Sequence, residues 1–433
     1  MKQIWQAKWP ALLIFALGIA MICGAIALAV RTYMPCPFWD EWAFVNAIAN
    51  GAGPTSWRWL WSEHNEHRLA MTRLLILLDL RIFGGKNVSL FVEMFAGQLL
   101  QWGAVCHVLA RYTAFPRVLK FAIAGVFAFC LFHLNQSQNF TWAFQASFVL
   151  AFCIGTFALL GIAYFERWRW PMLVAIAIGL APLVAGINVS GGMMIGPVVV
   201  GYAFLRRLEW RYVAVISTLV GGGILAYFSN YHVPASHLTP SQALAQPKEI
   251  FVYVLTYFGA SWTRLVPHKE RITALLSFVA LAIAVVTAIR RREQTTAFEW
   301  FCMAECALMT LFANVTAVGR LRYGVGQAYA GRYQTPAMIY WAALCALLLI
   351  IVWRNWPKQL MVVAWAVVLV LIASLATCVP IWRLETERND AIAQACDAAM
   401  HGNRDERGAN VLYGGTTRDL EPGVRYLKKL WGW

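Results

Sequence analysis

The sequence predicts an all-α polytopic membrane protein with about eleven transmembrane helices and interfacial helices in its first outer loop. Three observations carry that expectation. The 433 residues are 60% hydrophobic and only 13% charged, whereas a soluble chain is about half apolar and about a quarter charged. Mean hydropathy is +0.57, and several apolar runs approach or exceed the ~20 residues that cross a hydrocarbon core. Short basic loops recur between those runs.

Taken in order, an apolar run from about Trp9 to Val30 follows Lys2 and Lys8. It is longer than a signal-peptide core and ends in no convincing small-residue cleavage site, so it reads as a retained first helix with a cytoplasmic N-terminus. The basic loops are Arg111/Arg117/Lys120, Arg167/Arg169, Arg206/Arg207/Arg211, Arg290/Arg291/Arg292 and Arg354/Lys358. If all are cytoplasmic, each is separated from the next by two crossings, and the apolar stretches between them supply those pairs. The run LAMTRLLILLDLRIF carries Arg73, Asp79 and Arg81, each costly in a bilayer. It therefore reads as an interfacial helix, with the second span at about Val88 to Leu109. A last span, about Leu360 to Cys378, leaves an outer tail over 380–433 after a membrane domain over 1–379.

A formal charge of +15 would point to nucleic acid in a soluble chain; here the cytoplasmic loops account for it, and no nucleic-acid partner is expected. The 10 cysteines show no CxxC or zinc spacing. Cys36, Cys378 and Cys396 fall at or beyond the outer face, where one disulfide can form. The absence of a P-loop or dinucleotide fingerprint argues against nucleotide-driven chemistry.

Ionisable residues concentrate in the stretch from Pro35 to Arg73, within an outer loop of about residues 31–87. Asp40 and Glu41 lie between Trp39 and Trp42. Carboxylates in such an aromatic setting can be partly desolvated and poised as a general base; the alternative is a solvated loop with a chance acidic pair. Glu63, His64, Glu66, His67 and Arg68 follow. If helical, this segment places Glu63 and His67 on one face at i, i+4. The cluster suits substrate binding or loop architecture, and a divalent cation stays open as a cofactor. HNEH is not HExxH, so a zinc-protease reading fails. A late outer loop, GRLRYGVGQAYAGRYQTP, holds Arg320, Arg322, Arg332 and Tyr333. Arginine's planar fork suits phosphate, and contact with anionic head groups is the alternative. An amide-rich turn, Asn135 to Gln145, reads equally as a sugar-binding surface or as polar caps of adjacent helices. Glu93, Glu299 and Glu305 lie in or near spans and are functional candidates by position.

These features together resemble the GT-C membrane glycosyltransferases: an Asp-Glu pair opening the first outer loop, an interfacial segment ending in FGG, the span number, and GRY at Gly331–Tyr333 before a span. The resemblance implies inverting transfer of a sugar from a polyprenyl-phosphate donor to an envelope glycan or glycolipid acceptor such as lipopolysaccharide or O-antigen. Transfer would occur on the periplasmic face of a bacterial inner membrane. It nominates Asp40 as base, Glu41 as its partner or metal contact, and Arg332 as phosphate clamp, with Arg320 and Arg322 secondary. The chain lacks the large soluble C-terminal domain of bigger members, and its tail is expected to fold back over the cavity. An envelope acyltransferase or O-antigen ligase is the rival enzyme, and would use His64 or His67. A transporter would show paired charges and broken helices at mid-membrane, usually in repeated halves; only the NVSGG turn, 188–192, has that look.

Overall fold

A computed structural model describes residues 7–51, 56–232, 238–403 and 405–432. Lys2, Trp433 and part of the first outer loop, 52–55, lie outside them. Helix α1, Lys8–Arg31, is followed by α2, Asp40–Ala49, and by a two-stranded hairpin, β1 Glu63–His64 and β2 His67–Arg68. Then come α3 Ala70–Phe83, α4 Val88–Tyr112, α5 Arg117–Leu131, α6 Ala146–Ala163, α7 Pro171–Gly186, α8 Ile195–Leu205 and α9 Trp210–Phe228. The second half contains α10 Pro247–Gly259, α11 Glu270–Arg290, α12 Ala297–Arg320, α13 Gln334–Asn355 and α14 Leu360–Ala376, and ends in α15 Cys378–Met400, α16 Glu406–Tyr413 and α17 Thr417–Trp431. Among the described residues nine helices are long and apolar enough to cross a membrane, and α7 and the 3₁₀–α segment through α8 are shorter apolar helices. The chain is an all-α polytopic membrane protein.

Its outward faces are apolar where a lipid belt would lie: Leu225, Ile283, Val362 and Leu369 are all exposed. Inside, small residues let backbones approach. A Cβ on Gly18 of α1 would lie 2.5 Å from the carbonyl of Gly125 on α5, so that crossing admits nothing larger. Helix α12 begins with a capping box in which Thr296 accepts from the Glu299 N–H and the Glu299 carboxylate accepts from the Thr296 N–H. Glu299 also meets Arg354 at 2.5 Å, so this acid is an end-of-span brace. Glu305 is fully buried in α12 and accepts from Thr156 of α6, whose hydroxyl accepts from Gln101 of α4 at 2.7 Å.

The charges between α1 and α4 find specific partners. Helix α3 carries Arg73, buried, whose guanidinium donates to the carbonyls of Leu60 (2.8 Å) and Ser62 (2.7 Å) and lies over the rings of Phe44 and Trp59. Asp79, on the same helix, accepts from the backbone N–H groups of Asn87 and Ser89 at 2.7 and 2.8 Å. It thereby caps α4, where unmet N–H groups and the helix dipole favour an anion.

The tail after α14 folds back onto this loop. Cys36 and Cys396 form a disulfide, whereas Cys378 is a buried free thiol. Asn46 of α2 donates to the carbonyl of Asp419 at 2.6 Å and accepts from the Gly423 N–H at 2.9 Å. Trp431 donates to the carbonyl of Gly84 at 2.6 Å.

Candidate active site

Asp40 opens α2, where the helix dipole stabilises a carboxylate. The residue before it, Trp39, has φ 49°, a strained position for a bulky side chain that costs about 1–3 kcal/mol and persists only where neighbours hold it. The holding contacts are on either side. The Trp39 N–H donates to the carbonyl of Leu412 in the tail at 2.7 Å, and the Phe38 N–H donates to Glu41 at 3.0 Å.

Glu41 is 2% exposed. Its carboxylate accepts from the N–H groups of Phe38 and Phe144 (2.8 Å) and from the Asn87 amide (3.0 Å). Burial pushes its carboxyl up to about 8, against the pull of those three donors. The residue therefore ties α2 to Asn87, just before α4, and to the turn before α6. Asp40 keeps 32% of its side chain exposed and lies 3.2 Å from His64 Nε2.

The segment 63–68 is a hairpin, not the helix expected from its i, i+4 spacing. Glu63 pairs with Arg68 and His64 with His67, across a turn in which Asn65 takes φ 51°, a conformation asparagine tolerates. Directly opposed residues share a face, and neighbours along a strand do not. One face therefore carries both histidines, and the other carries Glu63 and Arg68. Arg68, 4% exposed, donates to the carbonyls of Tyr227 (2.7 Å), Trp61 (2.7 Å) and Ser229 (2.6 Å) and pairs with Glu63 at 3.3 Å. This side of the hairpin is tied to the end of α9, and neither Glu63 nor Arg68 lines the apolar cavity.

The histidine face looks onto the site. His64 packs on Phe44 and Phe144, and His67 on Phe148 one turn further along. His67 Nδ1 lies 2.8 Å from Ser190 Oγ and accepts from the Ser190 N–H at 3.2 Å. That leaves Nε2 to carry the proton of a neutral ring and donate it to Glu66 Oε1, 3.3 Å away. Glu66 also pairs with Arg320 at the end of α12.

Glu66, His67, Ser190, Arg320 and Arg332 all line a cavity of ≈ 260 Å³ whose remaining wall is mostly apolar, including Phe148, Phe152, Met194 and Phe312. Tyr333 lines it too; it is 5% exposed, stacks on Tyr257, and its hydroxyl has no hydrogen-bond partner among the described residues. Arg332 also lines a second, outer groove of ≈ 490 Å³ with Trp39, Trp142, Gln138 and Arg388. Its backbone is fixed by Gln138 and Asn139, its guanidinium lies over the Tyr333 ring, and among the described residues no carboxylate pairs with it. Arg322 is exposed in the turn Leu321–Tyr323 and does not line the cavity. No group of three or more His, Cys, Asp or Glu that could hold a metal ion occurs among the described residues.

Ser190 is the residue that sequence reasoning missed. Its NVSGG turn stands out only as a possible break between short helices, and nothing in its spacing points to His67, 123 residues earlier. The arrangement offers an apolar chamber lined by Arg320 and Arg332, and a half-buried carboxylate, Asp40, that follows the groove residue Trp39 in sequence and lines neither cavity. Comparison with protein-family models, with curated proteins and with solved structures finds no match.

Proposed function

We propose that this chain is a GT-C-type membrane glycosyltransferase that moves a sugar from a polyprenyl-phosphate donor to an envelope glycan or glycolipid. One observation carries the reading: Arg332, without an acidic partner, stands where the apolar cavity meets the outer groove that begins at Trp39, next to Asp40. An isoprenoid chain fits the apolar wall. Its phosphate falls to Arg332 and Arg320, and the sugar then projects into the outer groove. In transfer, Asp40 takes the proton of an acceptor hydroxyl as that oxygen attacks the anomeric carbon. The bond from that carbon to the phosphate oxygen breaks, and the electron pair leaves on the lipid phosphate, where the arginines stabilise the developing charge. His64 holds Asp40 in place, and attack opposite the leaving phosphate inverts the anomeric centre.

In this reading about eleven spans cross the bacterial inner membrane. The N-terminus is cytoplasmic, and the site and tail are periplasmic. Positive charge in the short loops supports that orientation. The test is release of free polyprenyl phosphate by purified protein from a panel of polyprenyl-phosphate sugars, supplied with envelope-lipid extract. Turnover by the wild type and none by Asp40→Asn supports the proposal; equal turnover by both removes Asp40 as the base.

Acyl transfer is the second reading, favoured by the Ser190–His67–Glu66 array. There the hydroxyl of Ser190 would attack an ester carbonyl, His67 would pass its proton to the leaving alcohol, and Glu66 would orient the ring. Ser190→Ala separates the two. Under sugar transfer it lowers turnover by less than about tenfold, the worth of one neutral hydrogen bond; under acyl transfer it abolishes the reaction.

A further inference from the structure

Another cavity, ≈ 470 Å³, lies between α1, α4 and α5, toward the helix ends farthest from Asp40. Helices α1 and α4 both pack on α5 and leave a groove between them. On one side α1 crosses α5 with Gly18 against Gly125. On the other, the Trp102 indole N–H of α4 donates to the Ala124 carbonyl of α5 at 2.9 Å. Phe15 closes the space from α1, its ring 6.3 Å from that of Trp102 and 5.4 Å from that of Phe121. The indole nitrogen is thereby spent, and the deep part of the groove is apolar. At a rise of ~1.5 Å per residue it extends about 10 Å from Arg117 to Ala124, within the ~15 Å of hydrocarbon in one bilayer leaflet.

The mouth of the groove is cationic. Arg117 and Lys120 line it, one turn apart on α5. Lys120 donates to the carbonyls of Ala110 at 3.3 Å and Thr113 at 2.9 Å. Those bonds use two of its three N–H groups and hold the ammonium at the groove. Arg117 is exposed, and among the described residues its guanidinium makes no hydrogen bond or ion pair. Arg111 and Lys8 lie at the same helix ends. No carboxylate answers them: residues 7–39 and 94–165, which contain the whole lining, hold no Asp or Glu. Glu299, on the helix end that Phe298 brings against Phe115, is taken by Arg354 and the Thr296 N–H.

We infer that this groove binds a membrane phospholipid with an anionic head group, its phosphate against Arg117 and Lys120 and one acyl chain between α1 and α4. Each half of the lining selects a half of that ligand. Basic pockets between membrane helices hold acidic head groups, and arginine's planar fork suits a phosphate. Below the cations the wall offers no free polar side chain except the Cys106 thiol, which suits a chain entering from the bilayer and not a sugar or a peptide. A zwitterionic lipid would bring a second cation toward Arg117, whereas a glycerol head group adds none. A free phosphate ion would leave the apolar part unused. The site is separate from the chamber at Arg320 and Arg332: Phe298, beside Phe115, and Arg320 stand at opposite ends of α12. The inference goes beyond sugar transfer and does not rest on it.

The experiment is native mass spectrometry of the full chain in neutral detergent. It is titrated with phosphatidylglycerol, with phosphatidylcholine of the same acyl chains, and with glycerol 3-phosphate. Two variants accompany it: Arg117→Gln, which removes the charge, and Ala110→Trp, which fills the mouth, both at exposed positions. The wild type should retain phosphatidylglycerol with roughly tenfold or greater preference over phosphatidylcholine, as two nearby cations imply. Arg117→Gln should lose about tenfold or more in that affinity, the worth of one hydrogen bond to a charged group. Ala110→Trp should retain none while unfolding at the wild-type temperature. Equal retention of the two lipids by the wild type would leave only ordinary bilayer contact and overturn the assignment. So would unchanged affinity in Arg117→Gln. Displacement of the lipid by glycerol 3-phosphate at equal concentration would overturn it too, by showing a phosphate site with no use for the groove. Turnover of lipid-linked sugar plays no part in the readout, so a negative result here leaves the transferase reading untouched.

Discussion

The carboxylate of Glu41 accepts three hydrogen bonds in the interior, whereas Asp40, one residue earlier, keeps 32% of its side chain exposed and touches His64. The two sides of the 63–68 hairpin divide in the same way. Glu63 and Arg68 are locked against the carbonyls at the end of α9, while Glu66 and His67 face the apolar cavity with Arg320. The stretch between α1 and α4 therefore contains two populations of charge, one facing the interior and one facing the cavity or solvent. One holds backbone segments together; the other lines or borders the apolar cavity.

Substitutions across this divide test it. The largest effect on rate is expected for Asp40→Asn. A general base contributes about 10²- to 10⁴-fold, so transfer should fall by that factor while thermal unfolding in detergent stays unchanged. A matched loss of stability would place Asp40 with the scaffold. Glu41→Ala should do the reverse. It orphans two buried N–H groups and an amide, at about 1–3 kcal/mol each, so the unfolding temperature should drop sharply, with turnover per folded molecule recovering at low temperature. An unperturbed melting curve would break the comparison. Arg332→Ala removes a charged donor worth about 1.5–3 kcal/mol. It should raise the apparent KM for the lipid donor more than that for the acceptor, and the opposite split would move the phosphate elsewhere.

The smallest effect, per pH unit, is on stability. Burial lifts the Glu41 carboxyl from 4.5 to about 8 in the fold. The folded protein therefore holds a proton that the unfolded chain has released. This contribution is complete below about pH 4.5 and is lost on raising the pH toward 8, by up to about 1.4 kcal/mol per unit. Melting curves between pH 5 and 9 should show this slope in the wild type and a shallower one in Glu41→Gln. Equal slopes would mean that Glu41 stays ionised in the fold.

The apolar helices were legible because they depend on composition, and the gathering of charge between the first two of them because it depends on residue type alone. The roles of adjacent residues were not. Whether Asp40 or Glu41 turns inward depends on Phe144 and Asn87, which are distant in sequence. The hairpin had a signal that was outweighed by the helical spacing: charged pairs flanking Asn65, a residue suited to a left-handed turn. That reading separates Glu63 and Arg68 from His64 and His67 without further information. Three cysteines were candidates for one disulfide, yet selecting Cys36 and Cys396 required the tail's path over α2.

That cross-link also constrains how the chain threads the bilayer. Two residues joined by a sulfur bridge lie on the same side, so the chain between them crosses an even number of times. All but the first of the nine long apolar helices begin between Cys36 and Cys396, an even number. If those eight all cross before Cys396, parity couples the two short helices: Pro171–Gly186 and the segment ending at Leu205 both traverse the bilayer or neither does. A reporter fused in the loop near Arg206 and another near Arg167 should therefore read the same compartment, whatever the depth of the turn between those helices.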